Sequence, residues 1–260
     1  MNIKYVSPSY KRPDGCLVLK FLKRIKVYVT PEEYPFYCKN NPGCEDRIVA
    51  VPEGVQGNGK SRCMNWMLDN LWDDDTDAII MIDDDVSGII KHIKNGKDEY
   101  ITEDEFYELV ENWVQLAKDW NCGIFALSPS SDPLVYDEFA PFRLHGYCDG
   151  QVTGWCIKNE LRYDEELTIK EDVDFALKNW QKYHKCLRIE KYYPKSKAFG
   201  DNKGGCNEFR SSEEEKRQFN IMQHKWGSDI IRPNRPTAKK TSKIKGLGGA
   251  IKLNLPFNGT

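Results

Sequence analysis

Residues 78–85 read Ala78-Ile79-Ile80-Met81-Ile82-Asp83-Asp84-Asp85. Five apolar residues run straight into three carboxylates. An apolar run of this length, bounded in this way, reads as a buried strand. Three adjacent acids at its end repel one another unless positive charge sits beside them. A divalent cation is the simplest partner, because hard cations take carboxylate oxygens, and Mg²⁺ is commonly held by one or two carboxylates plus substrate phosphates. Side chains alternate along an extended chain, so Asp83 and Asp85 can share one ion, directly or through water. The stretch therefore predicts a strand that delivers acids to a metal, and a phosphate ligand with it. The plainer reading is a solvated strand end or a turn.

On both sides of this stretch, strand and helix signals alternate. Strands are expected over 3–7, 25–29, 48–51, 123–127, 152–157 and 187–192. Helices are expected over 15–22, 61–71, 171–180 and 211–224, and from 102 to about 120. Thr102-Glu103-Asp104-Glu105 has the pattern of a capping box, and Thr30-Pro31-Glu32-Glu33 reads as another helix start, with Pro in the first turn. The rhythm predicts an α/β fold, with a mostly parallel twisted sheet flanked by helices. From Pro233 onward the chain is rich in Pro, Lys and Gly and is expected to run extended over the surface or to be mobile. No internal repeat is visible.

Composition narrows the class. The 260 residues are 40% hydrophobic and 30% charged, enough for one large domain or two small ones with a real core. No apolar run approaches the ~20 residues that span a bilayer. The start of the chain has no signal-peptide pattern. Nine scattered cysteines without a CxxC read as reduced thiols, so a cytoplasmic protein with no membrane partner is expected, in the host cytoplasm if viral. Net charge is −2, but no acid follows Asp229. Arg232, Arg235, Lys239, Lys240, Lys243, Lys245 and Lys252 give that tail +7 and leave −9 on the rest. A second basic cluster is Lys20, Lys23, Arg24 and Lys26, near Lys11 and Arg12. Both are either solvated faces or contacts for a polyanion.

Gly54-Val55-Gln56-Gly57-Asn58-Gly59-Lys60-Ser61 fits the phosphate-binding pattern G-x-x-x-x-G-K-[ST] between a strand and a helix. One reading is thus a P-loop kinase or NTPase, with the acidic strand end as its metal partner. Against it, two strand units precede the loop, Arg62 follows at once, and the remaining acidic and Gly-rich features are left without a role.

The order strand–Pro-Ser-Tyr-Lys-Arg, strand, strand–Gly-rich loop–Ser-Arg-x-x-Asn, strand–Asp-Asp-Asp resembles the GT-A fold glycosyltransferases. Within them, Gly-Lys-Ser-Arg followed by an apolar strand and Asp-Asp-Asp-Val is most similar to the TET-associated glycosyltransferases, largely phage enzymes. The resemblance covers roughly residues 3–227. It implies a GT-A-like single domain over 1–232, with a nucleotide-sugar-binding half (1–127), an acceptor-side half (128–232) and a basic C-terminal extension (233–260). It implies transfer of a sugar from a nucleotide-sugar, a UDP-sugar, to a hydroxyl, with 5-hydroxymethylpyrimidine in phage DNA as acceptor. A GT-A enzyme acting on a glycan or protein remains an alternative.

The resemblance also assigns residues. Ser7, Pro8, Tyr10 and Arg12 would cup the base and ribose. Lys60, Arg62, Asn65, Asp84 and Lys203 would hold the nucleotide-sugar. Asp83 and Asp85 would hold Mn²⁺ or Mg²⁺, with Asp201 or His224 as a further ligand. Lys170-Glu171-Asp172-Val173-Asp174 resembles an E-D-x-D element at a helix start. There Asp172 or Glu171 would take the acceptor's proton while the neighbouring acid holds sugar hydroxyls, and Asp174 would complete the catalytic element. Acids at a helix start are favoured by the macrodipole in any case. Trp155, Phe142 and Tyr147 are candidates for stacking on a base or sugar.

Overall fold

The computed structural model describes residues 1–57, 59–94, 96–132, 136–146, 148, 150–196, 204–233 and 251–253. The chain runs β1 (Ile3–Pro8), α1 (Val18–Phe21), β2 (Ile25–Val29), α2 (Tyr34–Asn40), β3 (Ile48–Ala50), α3 (Ser61–Asn70), β4 (Ala78–Ile82), β5 (Gly88–Lys91), β6 (Glu99–Tyr100) and α4 (Glu103–Asp119). It continues through β7 (Ile124–Leu127), β8 (Phe142–Arg143), β9 (Val152–Trp155), α5 (Glu171–Tyr183), β10 (Leu187–Ile189), β11 (Tyr192–Lys195), α6 (Ser212–Trp226), β12 (Ile231–Pro233) and β13 (Ile251–Leu253).

Eight strands form the main sheet in the order β3-β2-β1-β4-β9-β7-β10-β8. β3, β2, β1 and β4 are mutually parallel, and β7 is parallel to β10. β9 runs antiparallel between β4 and β7, and β8 is antiparallel on the edge. The apolar run of β4 explains its central place, because every one of its residues is buried. Ala78, Ile80 and Ile82 pack on one face with α1 and α4, through Leu19, Phe106, Val110 and Val114. Ile79 and Met81 pack on the other with α3 and α5, through Met64, Met67, Phe175 and Trp180. A sheet covered on both faces requires such unbroken apolar strands. Gly154 of β9 has its own packing reason. A Cβ there would lie 2.2 Å from the Phe125 ring on the neighbouring β7.

The expected α/β fold, a mostly parallel sheet flanked by helices, is observed. The capping box of α4 is complete: Thr102 Oγ1 accepts from the Glu105 backbone N–H, and the Glu105 carboxylate accepts from that of Thr102. Several boundaries differ. The expected helix over 15–22 is a 3₁₀ turn at Pro13–Gly15 followed by the short α1, since Pro13 and Gly15 suit a turn better than a helix interior. The expected strand over 187–192 divides into β10 and β11, because the Glu190 and Lys191 N–H groups both turn to the Pro141 carbonyl. β11 leaves the main sheet for a three-stranded one with β5 and β6, which the short, polar-ended sequences of those strands did not announce.

The expected 232/233 boundary falls inside β12, which pairs with β13 through Ile231↔Leu253 and Pro233↔Ile251. Residues 251–253, beyond that boundary, are thus extended chain paired with β12. Tyr147, Asp201, Lys203, Arg235, Lys239, Lys240, Lys243 and Lys245 lie outside the described residues. Among the described residues, no helix is long and apolar enough to cross a membrane.

Candidate active site

A cleft of about 790 Å³ opens where β1 and β4 end. Pro8, Tyr10, Arg12, Lys60, Asp83, Asp84, Asp85, Glu171 and Asp172 all line it. Its size is that of a pocket for a small-molecule substrate.

The acids do not continue β4. The strand stops at Ile82, and Asp83–Asp85 enter a turn closed by a bond from the Val86 N–H to the Asp83 carbonyl. The expected alternation of Asp83 and Asp85 along a strand is replaced by this turn, which brings all three acids to one cleft. Their environments diverge. Asp84 is buried and accepts from Ser9 Oγ (2.5 Å) and Arg12 Nη1 (2.8 Å). Burial pushes its carboxyl up, and Arg12 opposes the shift. Asp84 thus anchors the β1 loop. Asp85 lies 3.8 Å from Arg12 Nη1. Burial, then repulsion from Asp83 and Asp84, push it up to about 6. Asp83 is the most open of the three, with Lys60 Nζ at 3.7 Å.

Lys60 joins the two walls, its ammonium also 3.7 Å from Glu171. Glu171 and Asp172 sit in the first turn of α5. α6 fastens that turn: Lys170 Nζ meets Glu215 at 2.5 Å, and the Ile169 N–H donates to Gln218 at 3.1 Å. Burial, then the charge of Asp172, raise the Glu171 carboxyl to about 7, with Lys60 opposing. Glu171 Oε2 is buried without a hydrogen-bond partner. A carboxyl raised in this way holds its proton longer folded than unfolded, so wild-type stability falls as pH rises from about 4.5 to about 7. Glu171→Gln is therefore expected to melt several degrees above wild type at pH 8 and close to it at pH 5. Thermal melts at the two pH values check this, and a constant difference would refute it.

Other expected site residues are placed elsewhere. Asp174 turns away from the cleft, pairing with Lys178 (3.0 Å), Lys225 (2.8 Å) and the Trp226 indole N–H (2.8 Å). Two helical positions separate it from Asp172, which puts the two on opposite sides of α5. Arg62 pairs with exposed Glu165 at 3.0 Å. Asn65 is buried and exchanges bonds with the backbone of Tyr163. Ser7 is fully buried in β1, and His224 is exposed on α6; neither lines the cleft. Asp201 and Lys203 fall outside the described residues. Trp155 is core, its indole N–H bonded to the Tyr163 hydroxyl, and Phe142 packs edge-on against Trp120. Lys20, Lys23, Arg24 and Lys26 lie toward the start of β2, the opposite end of the sheet from the cleft.

The loop that fits the P-loop pattern lacks that pattern's metal contact. Ser61 is buried, and its hydroxyl donates to the Leu167 carbonyl at 2.7 Å, so it is not poised for the metal such a loop would serve. Gly59 packs against Thr168, which a Cβ would approach to 3.0 Å. Residues assigned no individual role from the sequence also reach the cleft: Gln56, Gln151, Tyr193, Phe209 and Arg210. Gln56 had a signal in its place inside the Gly-rich motif, and Gln151 in the Gly150–Trp155 stretch, which resembles an acceptor-side loop.

The TET-Associated Glycosyltransferase family matches residues 3–205, most of the chain. The chain belongs to that family. No curated protein matches it. Among solved structures, S. aureus TarS 1-349 in complex with UDP is similar at 12% identity and a TM-score of 0.43, covering 74% of this chain and 60% of that one. The match thus spans less than two thirds of that chain.

Proposed function

We propose that this cleft transfers a sugar from a UDP-sugar to a hydroxyl, and that the acceptor is a 5-hydroxymethylpyrimidine in DNA. Residues 1–127 would supply the donor half, 128–232 the acceptor half, and 233–260 a basic extension. The observation that carries the reading is the convergence of Asp83 and Asp85 with Lys60, Glu171 and Asp172 on one cleft. Family membership supports the reaction class.

The residues fit a divalent cation. Asp85 is held above its ordinary range by burial and then by crowding from like charges, and a cation would relieve the crowding. Among the described residues no three His, Cys, Asp or Glu side chains form a ready metal cage. Two carboxylates completed by substrate phosphates are the arrangement Mg²⁺ commonly takes. Asp83 and Asp85 would hold the ion, which when bound neutralises charge on a diphosphate leaving group.

The chain's own groups do the rest. Lys60 places fixed positive charge beside the leaving group. In a single displacement, Asp172 takes the proton of the attacking hydroxyl. Glu171, poised between its charged and neutral forms, offers Oε2 to a sugar hydroxyl. A base in duplex DNA must leave the stack to reach such a pocket. The +7 tail supplies sequence-independent attraction to phosphates.

The test is incubation with Mn²⁺, a panel of UDP-sugars and duplexes carrying 5-hydroxymethylcytosine, 5-hydroxymethyluracil or neither. Digestion and mass analysis should find a hexose- or pentose-sized gain on hydroxymethylated nucleosides alone. Transfer only to glycan or protein acceptors would overturn the DNA assignment. Absence of any UDP-sugar turnover would overturn the donor.

A further inference from the structure

Gln56 enters the cleft from the loop between β3 and α3. Its Nε2 donates to the Ser9 carbonyl at 2.7 Å. A carbonyl only accepts, so this contact fixes which way round the amide lies. Oε1 must face away from Ser9, and there it is buried with no hydrogen-bond partner. Buried acceptors are almost always satisfied, and one that is not marks a place for a donor to arrive.

The surroundings indicate the donor's shape. Gly57, next along the loop, has φ +109°, and a Cβ on it would lie 3.7 Å from Tyr10 Cε2, so the loop passes against the Tyr10 ring. Phe209 stacks on Tyr10, with centroids 6.1 Å apart and planes 16° from parallel. Phe209 lies beyond residue 205, where the family match ends. Flat aromatic surface beside one oriented acceptor suits a planar ring with an N–H on its edge.

We propose that Gln56 reads the base of the nucleotide donor, Oε1 accepting the N3–H of a uracil ring. Cytosine carries a bare acceptor at N3, which would face Oε1 acceptor to acceptor, so the same contact rejects cytidine nucleotides. The assignment rests on the reading that the cleft binds a nucleotide-sugar, and it adds the residue that chooses the base.

The test is calorimetric titration, with Mn²⁺ present, of wild type and Gln56→Leu with UDP, CDP, N3-methyl-UDP and inorganic pyrophosphate. Wild type should bind UDP at least tenfold more tightly than CDP or N3-methyl-UDP. Gln56→Leu should bring UDP down to the CDP level while binding pyrophosphate as wild type does. If wild type binds UDP and N3-methyl-UDP equally, and both better than pyrophosphate, the donor reading stands and the role of Gln56 falls. If none of the four binds wild type, the donor reading falls as well. The N3-methyl comparison needs no variant, so it can overturn the assignment even if Gln56→Leu misfolds.

Discussion

Replacing Asp83 and Asp85 together with asparagine is expected to lower sugar transfer by about three orders of magnitude while leaving the protein at least as stable as wild type. The size follows from the role. Loss of a single preorganised group facing a developing charge costs about 10²–10³ in rate, and this variant removes both carboxylates assigned to the diphosphate's counter-ion. The sparing of stability follows from the environment. Asp85 is buried beside two like charges, and its ionised form is disfavoured in the folded state. Asparagine keeps the shape and removes the repulsion. The Asp83 tie to the sheet is its backbone N–H on the Gln151 carbonyl, which the substitution keeps. Transfer assays paired with thermal melts check both halves. Activity within tenfold of wild type would remove these acids from the mechanism, and a large drop in Tm would show them to be structural.

Arg12→Ala should have the opposite profile, with a collapse of stability that takes activity with it. The guanidinium bonds Asp84 at 2.8 Å and the Gly204 carbonyl at 3.1 Å. Asp84 is only 4% exposed, so without Arg12 its charge is stranded. Breaking a buried pair from one side costs about 3–5 kcal/mol, on the order of 10 °C in Tm for a protein of this size. The pH dependence has a definite sign. Asp84 is already raised, and losing Arg12 raises it further. The folded variant then holds a proton that the unfolded chain releases, so the deficit grows as pH rises above the ordinary carboxylate range and shrinks below it. Asp84→Asn placed in the Arg12→Ala background should recover much of the loss. A melting curve showing less than about 2 °C of change in Arg12→Ala would mean that the buried pair contributes little.

The sequence carried some of this well. An apolar run ending in acids points to a central strand opening on a polar site more than to a solvated end, and β4 is that strand. Lys60, Asp83 and Glu171 stand at a loop end, a strand end and a helix start, where α/β folds gather functional side chains, so their convergence across more than a hundred residues was foreseeable. Phase was not. Asp172 and Asp174 fall on opposite sides of the expected helix, but which side faces the cleft is set by α6, whose Lys225 and Trp226 claim Asp174 from fifty residues away. Arg62 and Asn65 were hidden in the same way, because their partners lie on the 163–165 segment. Gln56 and Phe209 gave no periodic signal, since a loop side chain acquires its role only from where the loop is pinned.

The antiparallel β9, wedged between β4 and β7, has a consequence for synthesis. The two neighbours of β4 lie at opposite distances along the chain: Ala78 is matched to Ile3 and Ile79 to Trp155. On the ribosome, β4 can zip onto β1 at once, but its other flank stays bare until Trp155 is made. At 5–20 residues per second that wait is roughly 4–15 s, with Ile79 and Met81 lacking the Trp155 side of their packing. A nascent chain therefore carries an open, strongly apolar strand edge through the middle of its translation, the kind of edge that recruits other chains. Slow decoding or premature termination between β4 and β9 should harm yield more than the same event after β10.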